Sequence, residues 1–230
     1  MKNVIGILGG MGPAATADMF QKFIQLTPAK KDQDHIPLLI SSIPDIPDRS
    51  ASILSNGENP KPFMEKYVKG LQVAGATCII IACNTAHYWF SDLKKRTNIE
   101  MLSMIDAVVD AVLNTRMQRI GLLATDATLA TNLYKNKLEE HGLTFIRPTI
   151  QGQKKVMESI YSLKGGNLKL ATELMLAQRD ELIKQGAELI ILGCTEVPIV
   201  LADELKNNPN LYIDSTQVLV QAAIDWYNTH

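Results

Sequence analysis

The sequence predicts an α/β protein of two pseudo-symmetric α/β domains with parallel sheets and a functional site in the interdomain cleft. Three observations predict it. Short apolar runs alternate with longer helical patterns along the whole chain. The chain repeats itself at an offset of 111 to 115 residues. A cysteine stands at the end of an equivalent apolar run in each copy.

The strand candidates, in order, are residues 3–8, 37–42, 77–82, 119–124, 143–146, 188–192 and 211–213. They are continuous apolar runs, the pattern of strands covered on both faces. Helical periodicity fills residues 61–74, 129–141 and 168–185, with a last helix at 216–227. Strand–helix alternation of this kind implies parallel sheets with right-handed crossovers.

The repeat sets the domain organisation. Residues 75–85 match residues 186–196, which aligns Cys83 with Cys194 at an offset of 111. Ile5-Gly6-Ile7-Leu8 matches Ile120-Gly121-Leu122-Leu123 at an offset of 115, and residues 105–113 match 216–224 more weakly. These matches divide the chain into an N-terminal half, residues 1–103 plus 215–230, and a C-terminal half, residues 104–214. Ligands of open α/β sheets bind outside the carboxyl ends of the strands. Two such halves facing each other would bring both cysteines to one cleft.

Composition narrows the function classes. The 230 residues are 46% hydrophobic and 20% charged, and the formal net charge is −1, an ordinary globular balance. Neither a basic patch for nucleic acid nor a stacking surface is indicated, with aromatics at 6%. No apolar run reaches the roughly 20 residues that span a bilayer. Lys2 with residues 4–8 imitates a short signal peptide, but a similar segment recurs mid-chain. Three cysteines without CxxC spacing form neither a disulfide framework nor a metal site, and suit a reducing cytoplasm.

Two cysteines at strand ends point to proton transfer. Cys83 precedes Asn84-Thr85-Ala86-His87, and Cys194 precedes Thr195-Glu196 with Pro198 in the first turn. A helix start lowers a thiol pKa and favours thiolate. A buried packing thiol is the ordinary alternative, and Cys78 takes it: it lies inside a strand, and Leu189 occupies its counterpart. Inversion of a carbon stereocentre needs two similar acid/base groups on opposite faces. One thiolate removes the proton and the opposite thiol delivers one. Approach distances of about 3–3.5 Å on each side put the sulfurs roughly 7 Å apart.

Cys83-Asn84-Thr85-Ala86, Gly193-Cys194-Thr195-Glu196 and Leu8-Gly9-Gly10-Met11-Gly12-Pro13-Ala14-Ala15-Thr16 resemble the signatures of the cofactor-independent aspartate/glutamate racemase superfamily. The Gly-Gly-Met-Gly opening is similar to the aspartate racemase branch. The glutamate branch carries an Asp-Ser-Gly opening and a His where this chain has Glu196. The resemblance spans essentially the whole chain. It implies racemisation of a small amino acid, often by a homodimer, with no cofactor and no metal.

A free acidic amino acid brings two carboxylates. Asn84, Thr85 and Thr195 are placed to hold the α-carboxylate. Arg49, in the Pro/Asp-rich run 44–50, suits a second carboxylate, with pairing to Asp45 or Asp48 as the alternative. Lys164 precedes Gly165-Gly166 in a loop between helical patterns. The resemblance matches Arg49 and Lys164 to the positions that hold the distal carboxylate. Met11 is a cleft wall or a core methionine. Thr125 and Thr128 reach a ligand or cap a helix. His87 tunes Cys83 or simply packs. Glu196 orients an ammonium or favours the helix start.

Three other readings compete. Gly10-Met11-Gly12-Pro13-Ala14-Ala15 fits the G-x-G-x-x-G/A dinucleotide fingerprint. Pro13 removes an amide there, and the expected acidic residue is replaced by Ser41-Ser42. A two-lobed, non-catalytic amino-acid-binding module explains the halves but not the paired thiols. A related isomerase or decarboxylase of the same superfamily would use the scaffold with other contacts.

Overall fold

The computed structural model describes residues 3–230; Met1 and Lys2 lie outside the described residues. The described residues divide into two compact units, one of those up to residue 107 with 216–230, the other of residues 108–215.

The first unit carries β1 (Ile5–Gly9), α1 (Pro13–Leu26), β2 (Leu38–Ser42), α2 (Arg49–Leu54), α3 (Lys61–Val73), β3 (Cys78–Ile81), α4 (Phe90–Lys94) and β4 (Glu100–Met101). Helix α5 (Met104–Leu113) carries the chain onward. The second unit carries β5 (Arg119–Ala124), α6 (Asp126–Ala130), α7 (Leu133–Glu140), β6 (Thr144–Ile146), α8 (Ile150–Lys164) and α9 (Leu168–Lys184). It continues with β7 (Leu189–Gly193), α10 (Val197–Val200), α11 (Ala202–Asn207) and β8 (Tyr212–Asp214), and α12 (Ser215–Thr229) follows. The expected α/β architecture with parallel sheets is present.

Each unit holds a four-stranded parallel sheet. The orders are β2-β1-β3-β4 and β6-β5-β7-β8, one topology written twice. The central strands β1, β3 and β7 are buried at every residue, which is why their sequences are unbroken apolar runs. Burying each such Ile or Leu contributes roughly 1.5–3 kcal/mol. The flanking helices bury one stripe each. In α3 the stripe is Met64, Val68 and Leu71; in α9 it is Ala171, Met175, Gln178 and Leu182.

Local chemistry sets the helix ends. Thr149 Oγ1 accepts the Gly152 amide at 3.0 Å to start α8, and Asn167 Oδ1 accepts the Leu170 amide at 3.2 Å to start α9. Gly166, at φ +84°, makes the turn between them. Ser159 Oγ donates to the Ala171 carbonyl at 2.6 Å and helps close this hairpin.

Two expectations are corrected. Residues 129–141 are not one helix: α6 ends at Ala130, and Asn132 turns left-handed at φ 53° before α7. Asn tolerates that conformation, and Thr131 Oγ1 bonds back to the Ala127 carbonyl at 2.8 Å. Lys164 is the last residue of α8 rather than a loop residue. The two-residue β4 also went unread, because so short a run carries no periodicity.

The glycine-rich loop after β1 is built for close packing. Gly10 has φ +88°, and a Cβ there would lie 2.1 Å from the Ile43 backbone nitrogen. Its amide donates to Thr16 Oγ1 at 2.8 Å, and Thr16 Oγ1 donates in turn to the Gly12 carbonyl at 3.0 Å. The Gly10 amide and the space beside its Cα are thus taken up by the chain itself. Close packing accounts for Gly10 in the fingerprint match.

Candidate active site

In the first unit the sheet delivers Cys83 and the Gly-rich loop to adjacent strand ends. The β1–β3 register pairs Leu8 with Ile81, and the Ala82 amide donates to the Leu8 carbonyl at 2.9 Å. Cys83 follows, a buried free thiol in one apolar cluster with Leu8, Met11, Ile46 and Ala86. Met11 is 2% exposed and belongs to the same buried cluster as the thiol. Asn84 and Thr85 are buried on the following turn, which is a 3-10 helix over Thr85–Trp89 rather than an α-helix start.

Arg49 stands at the start of α2, where Asp48 Oδ1 caps the helix by accepting the Ala51 amide at 2.7 Å. Its guanidinium donates to the carbonyls of Ile46 and Pro47, each at 3.0 Å, and of Met11 at 3.2 Å. Arg49 thus ties the Gly-rich loop to the Pro/Asp loop. Its Nε is buried with no hydrogen-bond partner. These three bonds of Arg49 go to main chain, and Asp48 is engaged in capping.

His87 is buried, with Nδ1 at 2.8 Å from the Cys83 carbonyl oxygen. Its Nε2 accepts the Met104 amide at 2.9 Å. Burial dominates its titration and pushes its pKa down to about 4, so the ring is neutral.

In the second unit the β5–β7 register pairs Ala124 with Gly193, so Thr125 and Cys194 stand on neighbouring strand ends. Gly193 packs closely there: a Cβ would lie 2.5 Å from Leu122 Cδ1 and 3.3 Å from the Tyr134 ring, so the Leu122 side chain would have to shift. Thr125 caps α6; its Oγ1 accepts the Thr128 amide at 3.2 Å and lies 3.0 Å from Thr128 Oγ1.

Cys194, Thr195, Glu196 and Lys164 converge. The Cys194 thiol donates to Glu196 Oε2 at 3.0 Å, and Thr195 Oγ1 donates to the same oxygen at 3.3 Å. Lys164 Nζ lies 3.6 Å from Glu196 Oε1 and 6.0 Å from the centre of the Tyr161 ring. The thiol's pKa is held well above the ordinary value, first by burial and then by the Glu196 charge, with Lys164 opposing. The expected depression at Cys194 is thereby corrected: burial comes first and the neighbouring carboxylate second in raising the thiol, and α10 has only four residues to set against them. Sequence reading missed Glu196 as the partner of the thiol. Its i+2 spacing on a tight turn was the available signal.

Chemically, each unit presents a buried strand-end thiol followed by a buried Thr, Thr85 after Cys83 and Thr195 after Cys194, and in the second unit Lys164 stands by the adjoining carboxylate. Unit one adds a neutral His and unit two a carboxylate. No group of three or more His, Cys, Asp or Glu residues among the described residues could hold a metal ion. No helix of the described residues is long and apolar enough to cross a membrane.

Comparison with known proteins follows the same lines. Residues 8–223 match the model of the Asp/Glu/Hydantoin racemase family. The structure superposes on Picrophilus torridus aspartate racemase with a TM-score of 0.89 at 31% identity, over 98% of this chain and 94% of that one. An aspartate racemase homologue from Pyrococcus horikoshii aligns with a TM-score of 0.78 at 30% identity, over 99% and 100% of the two chains. A broad specificity amino-acid racemase from Bacillus subtilis is 27% identical over 228 residues, covering 97% of this chain and 98% of the relative.

Proposed function

Because the chain belongs to the Asp/Glu/hydantoin racemase family, we propose that it interconverts L- and D-aspartate, with glutamate second, using Cys83 and Cys194 without a cofactor. The observation that carries this reading is the duplicated topology, in which a buried cysteine follows the third strand of each sheet. One thiolate takes the Cα proton, and the other thiol returns a proton to the opposite face. Reversal exchanges their roles. Cys194 becomes a base by passing its proton to Glu196, whose negative charge Lys164 balances.

Substrate contacts follow from charge. Asn84, Thr85, Thr195 and Thr125 serve the α-carboxylate, and donors aimed there also stabilise the enolate-like transition state. Arg49 and Lys164 serve the side-chain carboxylate, and Met11 walls the site. The buried, unpartnered Nε of Arg49 supports an anionic partner. Aspartate is favoured by the Picrophilus enzyme, the aspartate racemase with a TM-score of 0.89. The full-length similarity to a broad specificity racemase favours a second reading with a wider substrate range. A homodimer in a reducing cytoplasm completes the proposal, and free Cys78, Cys83 and Cys194 suit that compartment.

Incubation in D2O with each enantiomer of aspartate, glutamate, alanine and lysine tests it. Deuterium at Cα of aspartate supports the reading, and equal incorporation into all four supports broad specificity. Retained Cα–H in every case, with ligand still bound, would leave a binding module instead.

A further inference from the structure

We propose that His87 is a positioning residue that holds the Cys83 carbonyl and joins it to the first turn of α5. This rests on the reading of Cys83 as a proton-transfer group. The tautomer follows from the partners. The Met104 main-chain amide can only donate, so Nε2, 2.9 Å away, carries a lone pair. Nδ1 therefore carries the hydrogen and donates to the Cys83 carbonyl oxygen at 2.8 Å. Both ring nitrogens are used, and His87 is not the base for the thiol or for substrate. Phe90 stacks on the ring at 5.3 Å, with planes 8° apart, and fixes its orientation.

The need for such a strut is local. The β1–β3 ladder ends with the bond from the Ala82 amide to the Leu8 carbonyl, one residue before Cys83. The Cys83 carbonyl, beyond that last bond, is held by His87. Because the peptide is planar, holding that oxygen fixes the Cys83–Asn84 unit, and with it the base from which the thiol projects.

The duplicate shows the same oxygen held by other means. The offset of 111 puts Pro198 where His87 stands. There the Cys194 carbonyl accepts the Val197 main-chain amide at 2.9 Å. One copy uses a main-chain donor and the other an imidazole, and the strand-end carbonyl is secured in both. The imidazole adds a second tie, to Met104, the start of the helix by which the chain leaves the first unit.

Two variants separate the ties. His87→Gln places an amide where Nε2 was and keeps an acceptor for Met104. His87→Asn places one where Nδ1 was and keeps a donor for Cys83. Folding is followed by circular dichroism, turnover by Cα deuterium exchange in both directions, and each thiol by its alkylation rate with iodoacetamide, resolved by peptide mass. His87→Gln is expected to fold, to lose on the order of 10-fold or more in kcat with little change in KM, and to alter Cys83 alkylation without altering Cys194. His87→Asn is expected to keep more of the turnover.

Folded His87→Gln with kcat and Cys83 alkylation both within about two-fold of the parent overturns the proposal. So does equal loss at both thiols, which marks general loosening. Cys83→Ser is run alongside. An inactive Cys83→Ser beside a fully active His87→Gln sinks only the role of His87. An active Cys83→Ser sinks the two-thiol reading, and the alkylation arm still decides whether His87 positions Cys83.

Discussion

The thiol of Cys194 donates to the carboxylate of Glu196 across 3.0 Å, two residues apart on one buried turn. Burial first and the carboxylate second hold the thiol's pKa up, and the proposed mechanism makes that carboxylate the acceptor of its proton. Replacing the charge by an amide removes the repulsion of a thiolate but leaves no proton acceptor. Glu196→Gln is therefore expected to move the pH midpoint of Cys194 alkylation down while lowering kcat on the order of 10² or more. Peptide-resolved alkylation across pH and steady-state racemisation check the two halves. An unmoved midpoint would show that Glu196 does not govern the thiol.

Buried His87 gives the fold an acid limit. Its pKa falls from 6.5 to about 4 on folding, so the unfolded chain binds the extra proton first. The stability it contributes is fully present above pH 6.5 and is lost as pH falls through about 4. The slope is about 1.4 kcal/mol per pH unit between those limits. Protonation would also force Nε2 to release the Met104 amide. Urea midpoints from pH 7 to pH 4 should fall more steeply for the parent than for His87→Gln. Parallel profiles would assign the acid limit to other groups.

How far the sequence reveals this molecule depends on the kind of signal. Strands such as Ile120–Leu123 are legible because burial on both faces demands an unbroken apolar run. The cysteines are legible because the repeat marks them. Main-chain partners are not: Arg49 reads as a carboxylate clamp or a partner of Asp45 or Asp48, yet it bonds three carbonyls. His87 likewise depends on Met104, 17 residues away, which no local spacing encodes. The helix break at Asn132 is a single left-handed residue, invisible to apolar periodicity.

Arg49 is expected to have two effects that separate on substitution. Its three carbonyl bonds hold two loops, so Arg49→Ala should cost about 1–3 kcal/mol of stability. Its charge is proposed to read the substrate side chain, so KM should rise far more for aspartate than for alanine. Equal rises in KM would leave Arg49 as a loop tether alone. Denaturant titration gives the first quantity, and parallel kinetics with both substrates give the second.

Gly10 fixes the approach of the Gly-rich loop to the chain beyond β2. A Cβ there would stand 2.1 Å from the Ile43 nitrogen and 2.4 Å from its carbonyl carbon, both main chain, so no side-chain rotation relieves the clash. The φ of +88° adds strain for any L side chain, about 1–3 kcal/mol for a non-glycine residue. Gly10→Ala should lower stability by more than that strain alone, and denaturant titration should register it. It should also displace Met11, whose carbonyl is bonded to Arg49. Gly75, at φ +104° but with open space around its Cβ position, serves as the control. Gly75→Ala carries the backbone strain without the clash, so it should cost less. Equal losses at the two positions would mean that the loop yields to the methyl group, and that packing against Ile43 does not set its course.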